Sequence, residues 1–447
     1  MQQIKLKRGL DLPIDGAAQR VLGSIMRPAV FQVVPDHFAG VKPKMLVHAG
    51  DVVKAGDPLF CDKAFPEMLF TAPVSGTILD IVRGDRRKVL SIDIEADAEL
   101  KYEVFSTEYK CAEDVKSLLL KSGLWTLIKQ RPYDCIALPG KTPKAVFISS
   151  FDSAPLAPDY EWVLAGEPLQ AAVDALAQLA PVYVGVRTGA AAAAFRSLKN
   201  CTLYEVDGPH PAGNVGVQIN HIAPMGKNDT VFTVNIQDLA LIGRLFLKGI
   251  VDMRKKVALT GPMVVEPKYY SVLPGMPLER IFRSNVYGGQ PLRYVAGNVL
   301  SGHQVTPEEI VSPYDNQYSV IEEGSDTHEF MGWLLPRFSR FSAGKTDPAQ
   351  VLNCLTRRKE YNWDSRLLGG RRAIIMSGEY DKVFPMDIYP EYLLKAMIAG
   401  NLDKMIELGA NEVAPEDFAL CEYVCTSKMP LQAIVRAALD NLRKEIE

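Results

Sequence analysis

The chain has 447 residues, of which 47% are hydrophobic and 23% charged, and its 50 basic side chains nearly balance 53 acidic ones. That composition is typical of a globular protein with three or four domains, and a net charge of −3 excludes the basic surface that nucleic-acid binding requires. The start, MQQIKLKRG, lacks the apolar core of a signal peptide, and no apolar run reaches the roughly 18 residues of a membrane span. We therefore expect a soluble cytoplasmic protein.

The first hundred residues predict short strands separated by glycine turns. Residues 41–60 contain two Gly-Asp turns, and residues 70–82 contain a Pro-Val-Ser-Gly turn followed by an apolar run. Two such halves predict a barrel-sandwich hybrid domain over residues 1–105. The pattern is similar to that of biotinyl and lipoyl carrier domains.

Lys63 stands where those carrier domains place their modified lysine, within an Asp-Lys-Ala triplet. One hypothesis is that it carries a swinging cofactor, and the other is that it is an ordinary solvated lysine. The stretch from Lys63 to Pro73 is two residues longer than a lipoyl hairpin would need, and Phe65 and Pro66 crowd the position. These features favour the solvated lysine.

Residues 106–261 alternate strand and helix patterns. After a helix over residues 112–130, the apolar runs predict strands at 144–150, 182–187, 202–206 and 257–261 and helices at 171–180, 190–199 and 238–249. Alternation at these lengths predicts a Rossmann-like α/β domain whose parallel sheet is covered on both faces.

The remainder divides into two predicted domains. Residues 262–335 have Pro-Gly turns and short strands that resemble a small β-grasp domain of the soluble-ligand-binding type, and we expect its Glu322-Glu323 pair to be solvated. Residues 336–447 predict a helical domain, with helices beginning at Pro390, at residue 402 and at residue 416. A last helix carries an apolar stripe from residue 431 to residue 442, which is typical of a core face.

Residues 207–222, DGPHPAGNVGVQINHI, form the most unusual segment of the chain. Three glycines free the backbone and two prolines remove amide donors, so the segment predicts a shaped loop. It follows the strand at 202–206, which places it at the carboxyl edge of the sheet, where ligands and partners usually bind. Its polar side chains are His210, Asn214, Gln218, Asn220 and His221.

This segment resembles a signature of the A subunit of the sodium-translocating NADH:quinone reductase, a bacterial redox pump. The likeness continues in order through residues 4–19, 316–324, 331–333, 376–390 and 408–425. It implies a peripheral subunit on the cytoplasmic face of the inner membrane, associated with reduction of ubiquinone to ubiquinol coupled to sodium export. It also implies five partner subunits, integral membrane subunits among them, that carry the flavins and iron–sulfur centres between NADH and ubiquinone.

Two architectural relatives are the flavin subunit of complex I and the C subunit of the membrane-bound ferredoxin:NAD reductase. They bind a flavin phosphate through a glycine-rich loop and an iron–sulfur cluster through four cysteines. The corresponding segment here, residues 122–133, has one glycine followed by Leu124 and Trp125. No G-x-G-x-x-G or P-loop motif occurs, and Cys421 and Cys425 have no neighbouring cysteine or histidine. We expect no flavin, cluster or metal in this protein, and two buried thiols on one helix face.

The chain also lacks a catalytic constellation. Its six histidines show no metal spacing such as H-E-x-x-H, and there is no G-x-S-x-G elbow. The candidate contacts to quinone or to a neighbouring subunit are six residues of the unusual segment: His210, Gly213, Asn214, Gly216, Gln218 and His221. Histidine and asparagine can donate hydrogen bonds to quinone carbonyls, but docking explains the segment equally well, and we favour docking.

Two other functions remain open. The first is a self-contained flavoprotein NADH dehydrogenase with a carrier domain. The second is a pure assembly scaffold without quinone contact.

Overall fold

The fold is given by a computed structural model that describes residues 2–189, 195–324, 341–343 and 360–446. The described residues form sheets of seven, six, four and three strands together with helices, which confirms the predicted multidomain α/β class. The first two strands, β1 (Gln2–Lys5) and β2 (Gln19–Gly23), lie within the range assigned to the sandwich. They instead pair with strands of the seven-stranded and six-stranded sheets, respectively.

The N-terminal sandwich consists of two antiparallel sheets, as predicted. The four-stranded sheet has the order β3-β9-β8-β5, and the three-stranded sheet has the order β4-β6-β7. Their bounds are β3 (Val30–Val33), β4 (Pro43–Met45), β5 (Val52–Val53), β6 (Pro58–Asp62), β7 (Leu69–Thr71), β8 (Gly76–Arg83) and β9 (Val89–Ala96). Phe60 and Phe70 stack in its core with ring centroids 4.5 Å apart.

The predicted helix over residues 112–130 is wrong in its second half. Helix α1 (Ala112–Lys121) ends early, a 3-10 turn covers Leu124–Leu127, and β10 (Ile128–Arg131) follows. Gly123 between them has φ of +77°, and a Cβ there would lie 2.6 Å from the Oγ1 of Thr71. The left-handed glycine turns the chain against the sandwich, so a helix cannot continue.

The seven-stranded sheet has the order β1-β14-β13-β12-β15-β10-β11. Its first five strands are parallel to one another. β10 pairs antiparallel with β15, and β11 pairs antiparallel with β10, so the sheet is mixed and not purely parallel. The remaining strands are β11 (Cys135–Ile136), β12 (Val146–Ser149), β13 (Val182–Arg187), β14 (Thr202–Asp207) and β15 (Val231–Val234), of which β11 and β15 were not predicted.

The helices of this domain are α2 (Tyr160–Val163), α3 (Leu169–Leu176), α4 (Val215–Ile222) and α5 (Ile236–Lys248). The helices predicted at 171–180 and 238–249 correspond to α3 and α5. Of the helix predicted at 190–199, residues 190–194 lie outside the described residues, and residues 195–199 form a turn and irregular chain.

The six-stranded sheet takes the order β19-β18-β20-β16-β17-β2. Its later strands are β16 (Lys255–Thr260), β17 (Lys268–Val272), β18 (Leu292–Ala296), β19 (His303–Val305) and β20 (Gln317–Glu322), with α6 (Glu279–Phe282) after β17. The strand predicted at 257–261 for the Rossmann-like sheet is β16, which instead lies inside this sheet. It pairs with β17 through a short connection and with β20 on its other side.

The expectation of a solvated acidic pair is wrong for Glu323. Its carboxylate accepts two hydrogen bonds from Arg293, at 2.8 and 2.9 Å, and one from the hydroxyl of Ser365 at 2.7 Å. These contacts lower the pKa of Glu323, with the Arg293 hydrogen bond as the largest cause.

The C-terminal domain is helical over residues 379–446. Its helices are α7 (Glu379–Val383), α8 (Pro390–Ile398), α9 (Leu402–Glu407), α10 (Ala419–Val424) and α11 (Leu431–Ile446). The helix predicted from residue 416 is instead a 3-10 turn at Pro415–Phe418 followed by α10. The resemblance noted at residues 331–333 lies outside the described residues.

Two hydrophobic cores meet at the seven-stranded sheet. Val146 and Ile148 of β12 face the core shared with α3, α5 and the sandwich, whereas Phe147 faces the core shared with the C-terminal helices. This alternation follows from the two-residue period of a strand. In the part of the chain that the structure describes, no helix is both long and apolar enough to cross a bilayer.

Candidate functional site

The unusual segment is half loop and half helix. Residues 208–214 turn away from the end of β14, and Asn214 then lies at the N-cap position of α4. The prediction of a loop throughout is therefore wrong for residues 215–222. Val217 and Ile219 of this helix are buried against the sheet, and tertiary packing outweighs the low helix propensity of glycine and β-branched residues.

His210 lies in the interior. Its backbone N–H donates to Asp11 Oδ1 at 2.8 Å, and its ring Nδ1 lies 3.0 Å from the hydroxyl of Ser153. Burial lowers the pKa of His210 to about 4, against a smaller opposing effect of Asp11. The imidazole is therefore neutral at physiological pH, and the same Ser153 hydroxyl accepts a hydrogen bond from the N–H of Gly213 at 2.8 Å.

The amides of α4 join the sheet to the C-terminal domain. Gln218 accepts from the hydroxyl of Tyr204 and donates to the hydroxyl of Ser149, both at 3.0 Å. Asn220 donates to Glu412 at 2.9 Å and accepts from the N–H of Asp387 at 3.0 Å. Neither amide is free to meet an external ligand.

Asn214 and His221 lie nearer the surface. The amide of Asn214 is half-buried and donates weakly to the carbonyl of Glu416 at 3.4 Å. His221 is exposed, and its Nδ1 lies 2.9 Å from the carbonyl of Val217 in the same helix. Among the six candidate residues, His221 alone presents an exposed side chain.

Gly216 allows α4 to approach a buried ion pair. Arg131 at the end of β10 has its side chain 2% exposed, and that of Asp417 is 0% exposed. The guanidinium donates to Asp417 Oδ2 at 2.9 Å, to the carbonyl of Glu412 at 2.7 Å and to Glu416 at 3.3 Å. A Cβ on Gly216 would lie 2.7 Å from the guanidinium and from Asp417 Oδ2, so only glycine fits.

The negative charges of this cluster stabilise the charged form of the Arg131 guanidinium. Burial lowers the pKa of Arg131, but the negative charges of Asp417 and Glu416 outweigh burial and raise it above its usual value. Sequence reasoning missed Arg131 and Asp417, because nothing local in the sequence shows that residues 286 positions apart are in contact. The cluster connects the α/β sheet to the C-terminal helices.

Three family models match successive parts of the chain. Models of the NqrA N-terminal barrel-sandwich hybrid domain, the NqrA second alpha/beta domain and the NQRA C-terminal domain match residues 4–97, 110–251 and 256–307. The A subunit of the Na(+)-translocating NADH-quinone reductase of Pasteurella multocida is 34% identical over 452 residues, covering 99% of this chain and 100% of the relative. The chain belongs to the NqrA family.

Other members of the NqrA family show the same full-length likeness. The Na(+)-translocating NADH-quinone reductase A subunits of Haemophilus influenzae (strain PittEE) and Rhodopirellula baltica are 35% and 34% identical, covering 99% of this chain and 100% and 98% of the relatives. A solved NAD+-reducing [NiFe]-hydrogenase matches with a TM-score of 0.37 and 12% identity, covering 76% of this chain and 62% of that chain. A TM-score this low supports no conclusion about fold or function.

In this member of the NqrA family, side chains fill the segment at residues 122–133 in which the resemblance led us to look for a flavin loop. Leu124, Trp125, Thr126 and Leu127 are all buried, and the indole N–H of Trp125 donates to the carbonyl of Ala137 at 2.7 Å. A phosphate needs several free amides at a helix N-terminus. This packed 3-10 turn offers no such cradle.

Cys421 and Cys425 are buried in the C-terminal core, as predicted. The Sγ of Cys425 lies 2.9 Å from the hydroxyl of Tyr380. Burial raises the pKa of Cys421 well above the usual value, so this thiol stays protonated and is a poor metal ligand. No group of three or more His, Cys, Asp or Glu side chains suited to a metal occurs among the described residues.

A cavity lies where the sandwich, the packed turn and the third domain meet. Its volume is about 40 Å³, which accommodates a water molecule or two but no cofactor. The lining is largely apolar and includes Phe38, Phe70, Met253, Val311 and Pro313, with His37 and Thr126 as polar members.

Lys63 lies in the connection between β6 and β7 and its side chain is exposed. Its backbone N–H donates to the carbonyl of Lys42 at 2.9 Å, so the turn is held against the neighbouring strand. The position is open to solvent, which suits either hypothesis for this lysine.

Proposed function

We propose that this chain is the peripheral subunit at the quinone-reducing end of a sodium-translocating NADH:ubiquinone reductase, on the cytoplasmic face of the inner membrane. It acts in ubiquinone reduction through surfaces that dock on its partner subunits, integral membrane subunits among them. It holds no flavin or iron–sulfur cluster, since those groups belong to the partners.

The observation that carries this proposal is the packed turn at Leu124–Leu127. Its buried side chains take the space in which a dinucleotide or flavin phosphate would need free amides. This turn therefore offers no phosphate site for NADH or flavin, which supports a role without a flavin of its own. Membership of the NqrA family implies that the chain belongs to such a complex. The filled segment supports the proposal that it works there without a redox group of its own.

The exposed His221 is the point at which the unusual segment can contact quinone or a partner. The other candidate residues are occupied by contacts inside the chain, as the hydrogen bonds of His210 and Gln218 illustrate. We expect H221Q to weaken quinone reduction or attachment of the chain to its partners. H48Q, at a histidine whose side chain is 90% exposed on the sandwich, is the matched control and should change neither.

The proposal is tested by comparing the complex with and without this chain. We expect the complex lacking it to oxidise NADH with a water-soluble artificial acceptor at the normal rate and to lose ubiquinone reduction. Full-length chain added back should restore the quinone rate. Loss of the artificial-acceptor rate, with the partner subunits present in normal amounts, would contradict the proposal because it would place the chain at the NADH end.

The exposed Lys63 on a barrel-sandwich fold is compatible with a second candidate, the self-contained flavoprotein with a carrier domain. Intact-mass spectrometry distinguishes the two functions, since a lipoyl or biotinyl adduct on Lys63 would support the carrier. A scaffold without quinone contact is distinguished by photo-crosslinking with a quinone analogue. Label confined to the membrane subunits would favour the scaffold.

A further inference from the structure

The C-terminal domain displays an exposed loop of apolar and basic residues. Residues 367–376 have the sequence LLGGRRAIIM and precede α7. Leu367, Leu368, Ile375 and Met376 are between 48% and 60% exposed. Four large apolar side chains are thus exposed within ten residues, and exposed apolar residues that cluster in this way mark interaction sites. We call residues 367–376 the basic–apolar loop.

The basic–apolar loop is held in place from behind. The N–H of Arg372 donates to the carbonyl of Ser427 at 2.8 Å, and the hydroxyl of Ser427 donates to the carbonyl of Ala373 at 2.9 Å. Beyond its end, the N–H groups of Ser377 and Gly378 donate to a carboxylate oxygen of Glu391 at 3.1 and 3.0 Å. The backbone is therefore anchored to the domain, and Ile374 packs against its core, while Leu367, Leu368, Ile375 and Met376 are exposed.

The charge of the loop has a single sign. Arg371 and Arg372 are exposed, and no aspartate or glutamate occurs from residue 367 to residue 378. Carbon atoms of the Lys428 side chain would lie 3.6 and 3.7 Å from a Cβ on Gly369, which brings a third basic residue beside the loop. The nearest acids in sequence, Asp364 and Glu379, are paired with Arg366 and Lys382, respectively. Because the whole chain has a net charge of −3, this positive surface is a local feature.

Two exposed tyrosines adjoin the anchored end of the loop. Tyr389 and Tyr392 flank the first turn of α8, are 70% and 57% exposed, and pack edge to face with centroids 6.0 Å apart. Glu391, which binds the end of the loop, lies between them in the chain. Tyrosine rings are enriched at the boundary between membrane and water, where one end of the ring is apolar and the other is hydrated.

We propose that the basic–apolar loop binds an acidic lipid surface, with its leucines entering the boundary between headgroups and acyl chains and its arginines contacting lipid phosphates. This inference rests on the proposed function, which places the chain against the membrane. Apolar residues beside arginines, without an acidic residue, are complementary to anionic headgroups above hydrocarbon. Tyrosine and arginine also occur at protein interfaces, so the assembly experiment below distinguishes lipid from a protein partner.

The test is flotation of the full-length chain with vesicles of phosphatidylglycerol and phosphatidylcholine, compared with vesicles of phosphatidylcholine alone. We expect the chain to float with the acidic vesicles and to be released by salt, because headgroup attraction is screened within a Debye length. R371Q/R372Q should weaken partitioning on the order of 25-fold, since each basic residue near the surface contributes roughly fivefold. L367S/L368S should weaken it at least about tenfold.

The matched control is R86Q/R87Q, which removes the same charge from an adjacent, exposed arginine pair next to Asp85 on the sandwich. It should float like the wild-type chain. Absence of wild-type flotation, equal losses in the control, or equal binding to vesicles without acidic lipid would each overturn the proposal.

A second measurement separates this inference from the proposed function. In detergent, R371Q/R372Q should still assemble with the partner subunits, because the loop is proposed to bind lipid. If R371Q/R372Q fails to assemble with the partner subunits and the wild-type chain does not float with acidic vesicles, the loop binds a protein partner and the lipid proposal is wrong. If the wild-type chain itself does not assemble with the partner subunits, the proposed function fails whatever the vesicle result.

Discussion

The ion pair of Arg131 with Asp417 should be the strongest polar link between the α/β sheet and the C-terminal helices. R131M keeps an unbranched side chain but leaves the carboxylate of Asp417, which is 0% exposed, without its cation. The variant also removes the hydrogen bonds to the carbonyl of Glu412 and to Glu416. Removing one partner of a buried pair costs about 3–5 kcal/mol, and we expect that loss in the free energy of unfolding.

The matched control is R20M, which breaks an ion pair of similar length at the surface. Arg20 lies 2.6 Å from Asp159, but its side chain is 63% exposed. Exposed pairs contribute about 0–1 kcal/mol, so R20M should change stability little. The assay is urea unfolding, with hydrogen exchange of residues 402–446 to show whether the C-terminal helices open first.

The double variant R131M/D417N tests whether the two side chains stabilise the protein as a pair. D417N removes the buried negative charge that R131M leaves without a cation. Its side-chain oxygen can still accept a hydrogen bond from the N–H of Ala414, as Asp417 does at 2.8 Å. We expect the double variant to cost less than the sum of the two single variants. The reasoning would be refuted if R131M cost no more than R20M, or if the two single variants were simply additive.

Two further predictions concern buried groups. The folded pKa of His210, about 4, lies below its ordinary 6.5, so its contribution to stability is complete above pH 6.5 and is lost as pH falls towards 4, about 3 kcal/mol in all. In urea unfolding measured across this pH range, H210Q should lose this pH-dependent component and H221Q should keep it. An identical pH slope in H210Q and wild type would contradict the assignment. Alkylation of the native protein followed by peptide mass spectrometry should modify the exposed Cys111 and spare Cys421 and Cys425 until unfolding, so equal rates at all three would contradict their burial.

Much of the fold could be predicted because its signals are local. The strands β12 and β13 are mostly apolar runs. Helix α5 is amphipathic, 13 residues long, and ends at a left-handed glycine, Gly249. Such patterns indicate an element without reference to the rest of the chain. The sheet that a strand joins is a different matter, as β1 and β16 show, because pairing partners are chosen over long sequence separations.

The contacts of the candidate segment could not be predicted from the sequence. The sequence marked residues 207–222 as unusual, yet the partners of its polar groups are 57 residues away for His210 and Ser153, and 192 for Asn220 and Glu412. A polar residue in a glycine-rich segment looks the same in sequence whether it meets a ligand or the interior of its own protein. Only the fold shows that His210 and Asn220 are used inside the chain.

The central claim, that this protein works by attachment and not through a redox group of its own, is tested most directly by chemical analysis of the chain released from an assembled complex. The preparation should be colourless, with flavin and iron each far below one per chain, while the remaining subunits retain theirs. A yellow or brown preparation with one flavin or one cluster per chain would contradict the account.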